Sequence, residues 1–133
     1  MKKYLLILFA FSILAACNSQ YDKAMKSADK ELIIKTANDY FAKKKWSKAL
    51  GLYERVTNLV SGTDEMANVV YNSAYANYYD KNYKLAGHQF KNFSVSFPQE
   101  KRTEDAAYMS ALCYYKGSQQ YNLDQSSTEL AIN

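Results

Sequence analysis

The sequence predicts an all-α fold: antiparallel helix hairpins stacked into a solenoid of about two and a half units, behind an N-terminal signal peptide. Three observations carry that expectation. One proline and four glycines in 133 residues supply too little turn chemistry for an all-β chain. Small-then-aromatic markers recur, with Ala37, Ala74 and Ala111 standing 37 residues apart twice over, each followed three to five residues later by aromatics. A second series keeps the same register, Trp46, Ala49 and Tyr53 being echoed by Tyr83, Ala86 and Phe90. A fixed period of this kind marks units that bury their apolar faces against their neighbours.

The elements follow in chain order. Lys2 and Lys3 precede a run from Tyr4 to Ala16, apolar apart from Ser12 and the Tyr4 hydroxyl. Spanning a bilayer takes roughly 20 helical residues, so this run of thirteen reads as a cleaved signal peptide over residues 1–16. Leu14-Ala15-Ala16-Cys17 resembles a bacterial lipobox, which implies cleavage before Cys17 and lipid on the new N-terminus. Two or more acyl chains give stable anchoring where one gives only marginal binding. Residues 17–30 are polar and small, the lipidated N-terminus and tether, whose end has no Pro or Gly to prevent it from being helical.

Repeats are expected over 31–133, in units of 31–62, 63–98 and an incomplete 99–133. In the first, Glu31 to about Lys44 forms a helix, Lys45-Trp46 turns, Ser47 caps a second helix, and Ser61-Gly62 stops it. In the second, Thr63 or Asp64 starts a helix to about Asp80, Asn82 marks the turn, and the partner helix reaches Phe97 before Pro98. In the third, Thr103 with Glu104 and Asp105 starts a helix that Gly117 closes. Residues 118–125 then insert, and Ser126-x-x-Glu129 reads as a capping box. Ala131 answers Ala49 and Ala86, so the aromatic and helix stop expected next would lie past Asn133.

Composition excludes several functions. With Lys2 and Lys3 removed, the formal charge falls from +4 to +2, which does not indicate nucleic-acid binding. His88 is the only histidine, so no metal cluster or His-based dyad is expected, and Gly51, Gly62, Gly87 and Gly117 form no phosphate loop. No enzyme is predicted, and no cofactor apart from the covalent lipid on Cys17. Once Cys17 carries lipid, Cys113 has no partner within the chain and reads as a small core residue. The basic cluster Lys43, Lys44, Lys45 and Lys48 reads first as a solvated helix end, with anionic head groups near the anchor as the other reading.

A groove is the better candidate site. Spacing i, i+4, i+7 on the first helix of each unit sets Tyr71, Tyr75 and Tyr78 on one face, and Tyr108, Leu112 and Tyr115 on the next. Aromatics with polar tips suit extended or partly folded peptides, although neighbouring helices would use the same rings for packing.

The markers resemble tetratricopeptide repeats, in which two antiparallel helices pack small residue against large. Departures are the three extra residues per period and Asn77 where a tyrosine is usual. The stretches 83–93, 111–115 and the insert Tyr121-Asn122-Leu123-Asp124-Gln125 are similar to the N-terminal part of BamD-type outer membrane assembly lipoproteins. That resemblance implies a periplasm-facing scaffold, anchored in the outer membrane of a Gram-negative-type bacterium. It would hold a BamA-like barrel protein and other assembly subunits, and would assist unfolded β-barrel proteins into the membrane. The alternative is a repeat lipoprotein docking cell-wall or division proteins.

Overall fold

The computed structural model describes residues 20–118 and 126–132, and every regular element there is helical. The signal peptide, the lipobox with Cys17, and the insert 118–125 apart from Ser118 lie outside the described residues. A short helix over residues 20–26 (α1) precedes α2 (Lys30–Ala42), α3 (Trp46–Thr57), α4 (Glu65–Tyr79), α5 (Tyr83–Ser96), α6 (Thr103–Gly117) and α7 (Ser126–Ile132). From α2 onward each helix packs chiefly on the next, so hairpins follow one another along the chain in the solenoid manner the period predicts.

The small residues of the 37-residue register sit where helices meet. Ala37, Ala49, Ala74 and Ala86 are all fully buried, and with no side chain beyond Cβ they let paired helices approach. One residue before each first-helix alanine stands a buried hydroxyl, Thr36, Ser73 or Ser110. Thr36 donates to Leu32 O within its own helix, whereas Ser110 donates across to Gly87 O at 2.9 Å, tying α6 to α5. The apolar interior falls into two clusters, one built from Ile33, Tyr53, Val56 and Val69, the other from Phe90, Phe93, Met109 and Cys113. Cys113 is buried and free, and burial pushes its thiol up to about 11.

Asn77 is buried where the repeat pattern favours a tyrosine. Its Nδ2 donates to Gln89 Oε1 at 2.8 Å, so a polar bridge joins α4 and α5 in place of a ring. No buried side-chain nitrogen or oxygen among the described residues is left without a partner.

Several helix ends differ from expectation. Asp29 caps α2, its carboxylate accepting from the N–H groups of Glu31 and Leu32. Ser47 does not cap α3, because that helix already begins at Trp46 and Lys45 takes the cap position without a side-chain bond. α3 ends at Thr57, ahead of the expected stop, and Gly62 takes a left-handed turn (φ 76°) in the loop beyond it. Gly117 closes α6 as its last helical residue without adopting positive φ.

The two hairpin turns, by contrast, use lysine where glycine is usual. Lys44 and Lys81 stand 37 residues apart and both have positive φ, 57° and 66°. In each turn the second and third residues after the helix bond back in the same way: Lys44 N–H to Phe41 O and Lys45 N–H to Tyr40 O, then Lys81 N–H to Tyr78 O and Asn82 N–H to Asn77 O. This paired closure asks for a left-handed residue, and a side chain there costs about 1 kcal/mol relative to glycine.

Candidate functional site

α4 and α6 carry the six residues that the spacing sets on one face, and the structure sorts them into two kinds. Tyr71 and Tyr75 are half-buried and engaged. Their hydroxyls both donate to Asp105 Oδ2, at 2.5 and 2.8 Å, from one α4 turn apart onto the first turn of α6. The Tyr71 ring lies 5.2 Å from Phe93 and 5.0 Å from Tyr75, and Tyr75 meets Phe90 edge-on at 5.0 Å. The Arg102 guanidinium covers the outer face of Tyr71, 4.8 Å from its centroid. Burial pushes both hydroxyls above the ordinary tyrosine value and the Asp105 carboxylate adds to the shift, so both remain protonated donors at neutral pH.

Tyr78, one turn further along α4, points toward the hairpin turn. It packs edge-on with Tyr83 at 5.8 Å, and the Lys116 ammonium stands 5.4 Å over its ring. On α6 the situation reverses. Tyr108 and Tyr115 are 65% and 71% exposed, with half-buried Leu112 between them. The face therefore has a fixed wall, Tyr71 and Tyr75 clamped to Asp105, and a strip from Tyr108 to Tyr115 whose two tyrosines are exposed among the described residues.

Asp105 and Arg102 were not among the residues expected here. In the sequence, Asp105 reads as an acid placed to favour a helix start, and it does occupy the first turn of α6. No sequence signal reveals its second use: its separations of 34 and 30 residues from Tyr71 and Tyr75 both fall short of the 37-residue period. A second aromatic group was also missed as a unit: Trp46 stacks on Tyr79 at 4.8 Å, with Phe41 edge-on to both.

Other candidates carry no chemistry. His88 is exposed and its Nε2 meets Asn92 Nδ2 at 3.1 Å. Among the described residues no group of three His, Cys, Asp or Glu side chains could hold a metal, and no helix is long and apolar enough to cross a membrane. Lys43, Lys44 and Lys45 are exposed in the first hairpin turn, and Lys48 stands 5.4 Å over Tyr40.

Comparison with known families supplies what geometry does not. A family model described as YfiO, outer membrane lipoprotein, matches residues 25–133. A comparison with curated proteins gives no match.

Proposed function

The chain belongs to the YfiO family of outer membrane lipoproteins, and from that premise we propose that it is a lipid-anchored, non-enzymatic scaffold of the machinery that assembles β-barrel proteins into the outer membrane. The observation that carries this reading is the extent of the match, from residue 25 through all the helix pairs to residue 133. The lipobox at Leu14–Cys17 fits the same reading: a covalent lipid on Cys17 holds the repeats at the membrane, facing the periplasm. The principal partner is a BamA-like barrel protein, with other assembly subunits beside it. Unfolded barrel segments are received on the strip of α6 where Tyr108 and Tyr115 offer contact area without a charge requirement.

Purification of the full-length gene product from mildly solubilised envelopes tests the assignment. A BamA-like barrel protein is expected to copurify, and its absence would remove the proposal. Photo-crosslinking from Tyr108 and Tyr115 tests the strip separately, with unfolded barrel proteins as the expected captures and wall or division proteins as the result that would replace them.

A further inference from the structure

Antiparallel hairpins put all their internal turns on one edge of a solenoid and all their linking loops on the other. The two edges of this molecule differ in charge. On the turn edge stand Lys43, Lys44 and Lys45 between α2 and α3, Lys48 in the first turn of α3, Lys81 and Lys84 around the turn between α4 and α5, and Lys116 at the end of α6. Among the described residues the carboxylates nearest that edge are Asp22, Asp39, Asp80 and Glu129, so lysine predominates there. Among the described residues the ion pairs are Lys30 with Glu65 and Arg102 with Glu100, both on the loop edge. Lysines of the turn edge instead cover rings: Lys48 over Tyr21 and Tyr40, Lys116 over Tyr78 and Tyr83.

An aromatic seam runs beneath those lysines. Tyr21 meets Tyr40, Phe41 meets Trp46, Trp46 stacks on Tyr79, and Tyr79 meets Tyr78, which meets Tyr83. Tyr79 is 47% exposed, and an open cleft of about 410 Å³ lies between it, Trp46, Phe41 and Lys44. Trp and Tyr bodies with lysine alongside are the composition that settles at a membrane interface.

The direction of α1 says what this edge meets. Tyr21, near its start, lies against Tyr40 and Lys48 at the turn edge, while Met25 O and Ser27 O accept from Arg55 near the far end of α3. The chain therefore enters at the lysine edge, with Cys17 three residues before Gln20, within roughly 10 Å of extended chain. We propose that the turn edge is the face this protein lays against an anionic phospholipid surface, with Lys44 and Lys81 presented to the head groups by their left-handed turns. The proposal rests on the reading of Cys17 as the lipid anchor.

The lipidated protein, reconstituted in vesicles, tests it. A fluorescent label at Ser47→Cys reports the turn edge and one at Gln99→Cys the loop edge. Cys113 is buried, and Cys17 is occupied by its lipid. In equimolar phosphatidylglycerol and phosphatidylcholine, a headgroup-attached quencher is expected to quench the label at 47 well above the label at 99, and the difference should vanish in phosphatidylcholine alone or in high salt.

Lys44→Gly with Lys81→Gly relieves both strained turns while removing two charges. At about fivefold per lysine, the apposed population should fall about twenty-fivefold with the fold intact. A control of matched charge loss away from the edge, Lys35→Gly with Lys101→Gly, should leave it unchanged. Equal quenching at both labels, or quenching indifferent to anionic lipid, would overturn the proposal. Release of the whole protein from vesicles in high salt would show instead that the anchor is missing, a distinct failure.

Discussion

The junction of α3 with α4 and the junction of α5 with α6 occupy the same place in successive repeats but close differently. At the first, side chains reach across: Trp46 stacks on Tyr79, and Val69 of α4 joins Val56 and Val60 in the first core cluster. At the second, the backbones themselves come close. Gly87 stands where the first unit has Leu50, and a Cβ added to it would lie 3.2 Å from Cys113 Cβ and 3.2 Å from the Tyr114 ring. Ser110 then reaches Gly87 O. One period thus permits two solutions, and whichever residue occupies the contact position decides how near the helices come.

Phe90→Ala should separate the two junctions most strongly. Phe90 is fully buried in the second cluster, so its loss should cost about 3–5 kcal/mol. In a solenoid whose units touch only their neighbours, hydrogen exchange should quicken across α4, α5 and α6 before α2 and α3 lose protection. Uniform loss would mean that the two clusters unfold as one.

Gly87→Leu, which copies the first unit into the second, should cost about 1–3 kcal/mol through overpacking, since Cys113 and Tyr114 leave no room. Thermal melts read the loss. A neutral result would show that the close approach at α5 and α6 is dispensable.

Asn77→Leu should be comparable or slightly milder, about 1–3 kcal/mol, because it strands Gln89 of the polar bridge. Adding Gln89→Leu, so that both bridge partners are apolar, should restore most of that stability. A double variant as weak as the single would show that the bridge is not the reason.

The smallest effect belongs to the first half. The hydrogen-bonded Lys30 ammonium, 2.7 Å away, holds the Glu65 carboxyl down at about 2. Its carboxylate form is favoured by folding, so this contribution is present above the ordinary value of 4.5 and is lost as the pH falls toward about 2. The pair is exposed, so a slight acid-dependent loss of denaturant midpoint is expected, absent in Glu65→Gln and screened by salt.

How much of this was legible in the sequence depends on whether a feature repeats. The helix pairs, their alanine contacts and the aromatic positions share one period, so they could be read before any coordinates. Features that occur once could not. Asp105 serves two tyrosines from the previous unit, and Gln89 answers Asn77, through contacts that no local pattern announces. Helix starts were misread at Ser47 because a good cap residue is outweighed where Trp46 packs on Phe41 and Tyr79. Residues 20–26 of the tether are helical, as the absence of Pro and Gly there allows, but the burial of Ala24 in the first cluster is a docking that a polar stretch does not advertise.

Cys113 carries a consequence for the protein's life outside the cytoplasm, where oxidants and disulfide exchange are ordinary hazards. Attack requires a thiolate within reach, and the sulfur enclosed between α5 and α6 offers neither charge nor access. A newly exported chain has no such shelter, so the closing of these helices is a race against modification. The chemical state of this one atom, read by mass, records whether each molecule won it.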